Sequence, residues 1–347
     1  MSSRLKVAVI GVGSLGKEHA RIYAALAQTG AVELVGVYDV HADTASAVAH
    51  KLGTRAFATV DEAANAADAL SIITPTITHF TIARDLLTRG KHLLVEKPMT
   101  ETGEQAAELV ELSQRHAAVL QVGHVERFNP TFKYMTEVAR EPRFIEAHRL
   151  SPYPARSTDI GVVLDLMIHD LDVVLAFVNS PVQSVDAVGM SVLSTTEDIA
   201  NARLRFANGC VANLTASRVS AERMRKIRVF SAGEKPAYVS LDYREQKGYI
   251  YRLAREGESE SSLFKKLLLA KDSTIVSEFG GKRIVREPVP IQKDEPLKLE
   301  LAHFVECVTA KQRPLVSGES AKQALDLALE ITRQIQASGM GKPITQG

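Results

Sequence analysis

Apolar positions fall into two regimes along the chain. At 5–10, 32–38, 69–73, 92–95 and 118–122 they form short runs with no polar alternation. Between those runs, at about 17–28, 42–52, 78–89 and 102–116, they recur at helical spacing. Strands alternating with helices predict an α/β fold built on a doubly wound parallel sheet covered on both faces. Beyond residue 124 the pattern changes. Asn129-Pro130 reads as the N-cap and first turn of a helix, a strand is expected at 143–150 and a helix at 162–178. From 183 to 253 alternation predicts a meander of antiparallel strands, with Asn208-Gly209 as a hairpin turn. The charged stretch 254–262 reads as a solvated loop, 263–290 has no clear period, and helical spacing returns at 297–310 and 319–337. Two domains are expected, 1–123 and 124–347.

The first strand runs straight into Gly11-Val-Gly13-Ser14-Leu15-Gly16, then a helix, then a second strand ending at Asp39. That arrangement matches the dinucleotide-binding fingerprint. Gly11 permits the tight turn, Gly13 lets a pyrophosphate approach the backbone, and Gly16 allows close packing of the helix, whose N-terminus faces the phosphates. Ser14 and Leu15 lie inside the same turn. Asp39 is placed to accept hydrogen bonds from the adenosine ribose. A carboxylate there repels a 2′-phosphate and favours NAD over NADP. The near match to a phosphate loop fails at Glu18, where that motif needs Ser or Thr for magnesium.

Composition narrows the function classes. The 347 residues carry 45% hydrophobic and 24% charged side chains, as in an ordinary globular protein. A net charge of +1 offers no general field for nucleic acid or an anionic membrane. No apolar run reaches spanning length, and no signal-peptide core is visible, so a cytoplasmic protein is expected without membrane insertion. Two cysteines, Cys210 and Cys307, make neither a disulfide framework nor a metal cluster.

Chemistry concentrates at strand ends and on one helix. Gly11, Asp39, Thr74 and Glu96 all close strands, where ligands of such sheets bind. Glu96-Lys97-Pro98 ends the fourth strand, and Lys97 is either a surface lysine or a group at the crevice mouth. In the later helix, Asp165, His169 and Asp172 share a face beside the apolar stripe Leu164, Ile168, Leu171 and Leu175. His169 can be a structural histidine or a base oriented by a carboxylate. The spacing fits no standard zinc motif, so no metal is expected.

Taken in order, Gly11-x-Gly13-x-x-Gly16, Thr74-Pro75-Thr76-x-x-His79, Glu96-Lys97-Pro98 and Asp165-x-x-x-His169 resemble the Gfo/Idh/MocA oxidoreductases, as does Arg313-Pro314-Leu315-Val316-Ser317-Gly318. The resemblance spans essentially the whole chain. It implies a Rossmann domain followed by an α/β domain with a large, open, mainly antiparallel sheet, NAD(P) as cofactor, and a sugar or cyclitol dehydrogenase. It further implies that Lys97 and His169 are catalytic with Asp165 as their acidic partner, and that Thr74, Pro75, His79 and Glu96 lie near the nicotinamide. The stretch from Gly123 to Pro130 with His148-Arg149-Leu150-Ser151-Pro152 resembles the branch acting on sugar nucleotides such as UDP-N-acetylglucosamine, at the 3-position, on the way to the amino sugar of lipid A. Substrate contacts from Lys97, Arg127, Asn129, Arg149, Asp165 and His169 follow from that likeness. Arg127 and Arg149 are candidates for a diphosphate or for interdomain ion pairs. An inositol or free-sugar dehydrogenase, or a catalytically silent dinucleotide-binding regulator, are the other readings. Few helices are available to cover the second sheet, and its strands place apolar residues on both sides. A dimer or tetramer joined through that sheet is therefore expected.

Overall fold

Each unbroken apolar run of the first third becomes a strand, buried throughout or nearly so except at the sheet edge, because a run without alternation leaves no face for water. In the computed structural model, which describes residues 4–153, 160–233, 236–254, 274–279 and 282–339, β1 (Leu5–Ile10), β2 (Val32–Tyr38), β3 (Ala69–Ile72), β4 (His92–Val95) and β5 (Leu120–Val122) form a parallel sheet. Its order is β2-β1-β3-β4-β5. Helices α1 (Gly16–Gln28), α2 (Ala42–Leu52), α3 (Val60–Ala66), α4 (Thr76–Thr88) and α5 (Gly103–Arg115) fill the connections. Only α3 has no counterpart in the periodicity. It is too short to show a period, and it is held by the Thr59 side chain, which accepts the Glu62 N–H.

The second sheet has nine strands and is antiparallel at every pairing but one. A short 3₁₀ turn at Val125–Phe128 leads into α6 (Pro130–Val138), whose N-cap is Asn129 as expected. Strand β6 (Pro142–Leu150) follows. Next, Val163–Met167 forms a single π-helical turn that continues into α7 (Ile168–Val178). Strands β7 (Val182–Met190), β8 (Ile199–Phe206), β9 (Val211–Ser217), β10 (Met224–Ser231), β11 (Ala237–Asp242) and β12 (Lys247–Leu253) come next, and Asn208-Gly209 turns between β8 and β9. They are not a plain meander. Strand β6 inserts between β9, parallel to it, and β10, antiparallel to it. The unassigned stretch contributes β13 (Thr274–Phe279) and β14 (Lys282–Pro288), and the sheet runs β13-β14-β12-β11-β10-β6-β9-β8-β7. The loop expected over 254–262 lies outside the described residues apart from Ala254.

Among the described residues two later helices follow, α8 (Pro296–Ala310) and α9 (Gly318–Ala337). Leu301, Phe304, Val305 and Val308 of α8 join the same buried cluster as Val7, Ile22 and Tyr23. Accordingly, the chain divides into one unit of Met1–Phe128 with Glu295–Asp326 and another of Asn129–Asp294 with Leu327–Gly347. The return of α8 to the first unit is not visible in the linear pattern, since an apolar stripe does not say which core it will fill.

Alternation sorts the second sheet into two unlike faces. On β8, Ala200, Ala202, Leu204 and Phe206 are all buried, and Asn201, Arg203 and Arg205 point the other way. Ile199, at the start of β8, shares the side of Asn201, and on β7 Val185 and Ala187 share the covered side while Val188 and Met190 share the open one, so apolar side chains do stand on both sides of the sheet. The open side also carries an aromatic row, Phe144, Phe230, Tyr238 and Tyr251, with successive ring centroids 5.6, 4.5 and 4.8 Å apart. Beside it lie polar pairs such as Arg228 with Glu146 and Asn201 with Thr215.

A buried charge network sits beneath the entry to the π-helical turn. Arg218 is fully buried and donates to Asp198, to the Ile160 carbonyl and to the hydroxyls of Ser194 and Thr196. Asp198 also accepts the backbone N–H groups of Val192, Leu193 and Ser194. Burial by itself would raise the Asp198 pKa, but Arg218, the Ser194 hydroxyl and these N–H groups outweigh it and hold the carboxyl well below its usual range. Arg218→Ala is expected to cost about 3–5 kcal/mol, because it strands a buried carboxylate, as read by urea unfolding. Since the folded pKa of Asp198 lies below the unfolded one, its contribution is complete above about pH 4 and fades as pH falls towards the folded value. Asp198→Asn should flatten that acid limb of the unfolding profile, and an unchanged limb would assign the acid sensitivity elsewhere.

Candidate active site

The carboxyl ends of β1 to β4 bring most of the first unit's candidate residues to one crevice. Gly11 takes φ +84°, and its N–H donates to the Tyr38 carbonyl at the end of β2. A Cβ on Gly11 would lie 2.5 Å from the Ile73 carbonyl oxygen, and one on Gly16 would lie 1.8 Å from that of Gly11. The close approach at Gly16 is therefore to the turn itself. At Gly13 a Cβ would meet nothing within 4 Å, so this position faces open space. Leu15, the N-cap of α1, supplies no side-chain acceptor to the first-turn N–H groups. With Ser14 beside it, this is a cradle for an anion at a helix N-terminus. Asp39 closes its end. One carboxylate oxygen accepts the Val12 N–H at 2.8 Å and the other the His41 N–H at 3.0 Å, leaving further lone pairs for ribose hydroxyls. The residues present thus fit a dinucleotide.

His79 lies deeper than its sequence position suggests. It is buried, with Nε2 2.8 Å from the Thr74 carbonyl oxygen and Nδ1 2.9 Å from that of Pro98. Burial lowers its pKa despite those carbonyls, and a neutral ring donates to one of them at a time. His79 therefore ties the loop after β3 to the loop after β4. Thr74 Oγ1 accepts from the Thr78 hydroxyl, and Pro75 is the N-cap of α4.

Glu96 has partners that the linear sequence does not reveal. It is buried, its carboxylate accepts the Lys97 N–H at 3.1 Å, and its Oε1 lies 3.4 Å from His19 Nε2 on α1. Burial works to raise the Glu96 pKa, but His19 and the Lys97 charge prevail and lower it. Gly123 makes the space, since a Cβ there would lie 2.6 Å from Glu96 Oε1. Lys97, half-buried, begins the cis Lys97–Pro98 peptide. His19 sits one turn past Gly16, and that spacing is the only sequence signal it offers.

In the second unit, Asp165 lies inside the π-helical turn and His169 in the first turn of α7, both half-buried. The wider turn changes the expected α-helical relation between them, and such turns recur at functional sites. Next to His169, Asp170 pairs with Arg149 of β6 through two bonds of 2.9 and 3.0 Å, and both side chains are buried. Arg149 thus ties the start of this helix to β6, the ion-pair alternative of its two expected roles, here within one unit. Asn129 is likewise engaged, accepting the Thr131 N–H and donating to the Tyr243 carbonyl. In the first unit, Arg127 donates to the Leu315 carbonyl. Among the described residues no cluster of His, Cys, Asp and Glu could hold a metal ion, and no helix is long and apolar enough to cross a membrane.

Known proteins match along this whole length. A family profile described as an oxidoreductase family with an NAD-binding Rossmann fold matches residues 5–124, and the GFO/IDH/MocA C-terminal domain matches residues 140–235. The UDP-N-acetylglucosamine 3-dehydrogenase of Acidithiobacillus ferrooxidans is 35% identical over 96% of this chain and 98% of its own. Its solved structure has a TM-score of 0.84 to this one and covers the same shares of the two chains. The scyllo-inositol 2-dehydrogenase (NAD(+)) of Bacillus subtilis is 25% identical over 97% of this chain and 95% of its own. A levoglucosan dehydrogenase solved with NADH and levoglucosan shares the fold, at TM-score 0.78 and 18% identity over 96% of this chain and 98% of that one.

The carboxylate at the end of β2 generates a cofactor preference. NAD is expected to exceed NADP by at least about tenfold in catalytic efficiency, which is about 1.4 kcal/mol. Asp39→Ala should narrow the gap, and equal efficiency in the unaltered protein would remove this role from Asp39.

Proposed function

Because this chain belongs to the Gfo/Idh/MocA family of NAD-binding oxidoreductases, we propose that it oxidises a sugar hydroxyl to a ketone on a sugar nucleotide, the 3-position of UDP-N-acetylglucosamine. Such a reaction makes a keto sugar ready for amination, on the way to the amino sugar of lipid A. The observation that carries the substrate reading is a relative of that activity aligned end to end at 35% identity, against 25% for the scyllo-inositol enzyme. Bound NAD supplies the hydride acceptor.

The chain's own residues have separable roles. The Gly11–Gly16 turn holds the pyrophosphate, and Asp39 holds the ribose. His169 takes the proton of the reacting hydroxyl as a general base. Lys97 donates a hydrogen bond to the same oxygen and stabilises its developing negative charge. Asp165 orients the imidazole or the sugar. Glu96 keeps the Lys97 backbone in place through its carboxylate, and His79 fixes the loops after β3 and β4, which support the nicotinamide end. A catalytically silent regulator would have no use for Lys97, Asp165 and His169 together. Free, buried Cys210 and Cys307 suit a reducing cytoplasm.

We further propose that the protein is a dimer or tetramer joined through the open face of the second sheet. The support is the aromatic row with Phe230 exposed at its middle, together with exposed Val188 and Met190 on β7.

His169→Ala and Lys97→Ala should each lower turnover by about 10²–10⁴ with NAD affinity near normal. Near-full activity on the true substrate would remove that residue from the mechanism. A screen of NAD reduction with UDP-sugars, free sugars and inositols tests the substrate class, and turnover confined to inositols would replace the reading above. Light scattering should give a dimer or tetramer mass, lowered by Phe230→Glu. A monomer in the unaltered protein would end the sheet-to-sheet proposal.

A further inference from the structure

A sugar nucleotide brings a diphosphate, and the two arginines expected to meet it already have partners within the protein. Arg149 is buried against Asp170, and Arg127 donates to the Leu315 carbonyl. The second unit holds a different set of cations. A cavity of about 490 Å³ is lined by Arg223, Arg225 and Arg244 with Leu150, Ser151 and Tyr153. The arginines come from the residue before β10, the second residue of β10 and the turn after β11. The fold therefore gathers them, and no run of basic sequence does.

Local structure explains why they stay together. The Tyr243 N–H donates to the Arg225 carbonyl, which brings the bend after β11 against the start of β10. Asp242 accepts the backbone N–H groups of Arg244 and Glu245 at 3.0 Å each and so shapes the turn, in which the Glu245 carboxylate lies 3.8 Å from the Lys247 ammonium. Among the described residues no carboxylate pairs with the guanidinium of Arg223 or Arg244. The side chains of Arg223 and Arg244 are exposed, so an anion entering the cavity can reach both, and guanidinium forks suit phosphate oxygens. The place is also right within this unit. Arg225 is the cross-strand partner of Arg149, whose guanidinium holds the residue next to His169. Facing residues on paired strands have Cβ atoms about 4.5–5.5 Å apart, so the cavity opens one strand away from the Arg149–Asp170 pair.

The geometry points to this cavity as the site for the diphosphate of a nucleotide-sugar substrate, with Arg223 and Arg244 as its main cations and Tyr153 on its wall. The assignment rests on the sugar-nucleotide reading above and gives it a place in the fold. It accounts for recognition of the nucleotide arm, which neither Lys97 nor His169 supplies.

Calorimetric titration of uridine diphosphate and inorganic pyrophosphate into the NAD-loaded full chain tests it, alongside the Arg223→Ala, Arg244→Ala double variant. Both probes should bind, more weakly as salt is raised, and the double variant should lose at least about tenfold in affinity, about 1.4 kcal/mol. Its KM for UDP-sugar should rise while kcat changes little, and Arg→Lys at both positions should restore part of the affinity. Unchanged melting temperature and NAD affinity would show that the loss is local. Equal affinity for uridine diphosphate in the double variant and the parent would overturn the cavity assignment, and continued oxidation of UDP-sugars would leave the proposed function standing. Failure of the parent to bind uridine diphosphate would overturn the assignment too. Turnover of inositols alone would overturn both.

Discussion

Arg149 and Asp170 are buried face to face, and neither can leave the other without stranding a charge in a medium that solvates it poorly. That constraint fixes the helix bearing His169 against β6. A helix held by apolar contacts alone could slide or rotate by small amounts at little cost. A helix held by a two-bonded guanidinium–carboxylate pair has one register. The same logic operates one turn earlier in the chain, where Arg218 reaches the Ile160 carbonyl while paired with Asp198. The approach to the π-helical turn and the start of α7 are thus each tied to the sheet by a buried charge. The half-buried Asp165 and His169 lie between the two ties.

The first unit solves the same positioning problem with a smaller charge cluster. Glu96 is enclosed by His19, by the Lys97 backbone and by the bare face of Gly123. His79 spans two carbonyls from neighbouring loops. These contacts use groups of the same motifs that motif spacing places near the cofactor. A residue in the right motif can act by holding a loop, and distance to the ligand is then the wrong measure of its importance.

The open face of the nine-stranded sheet shows how strictly a period of two acts. One register places the β8 alanines and leucine inward and its asparagine and arginines outward. The same register lines up four aromatic rings from four neighbouring strands. Neither outcome can be read from one strand in isolation, because a row across a sheet is made by pairing.

Local information was sufficient for the first sheet, the glycine turn, the Asn129 cap and the Asn208-Gly209 hairpin. Each depends on residues adjacent in the chain: an apolar run, a φ that glycine tolerates, a side chain that reaches an N–H two residues on. The strand ends also marked the crevice, since parallel topology puts ligands there wherever the strands lead. Tertiary structure alone decided what lies far apart in sequence. It inserted β6 between β9 and β10, returned α8 to the first core, gave Glu96 its histidine, and paired Arg149 with Asp170. It also gathered Arg223, Arg225 and Arg244 around one cavity. The reason is physical. Periodicity reports which side of an element is apolar, but the partner of a buried charge is chosen by packing. A charge removed from water must find its opposite wherever the fold has placed it.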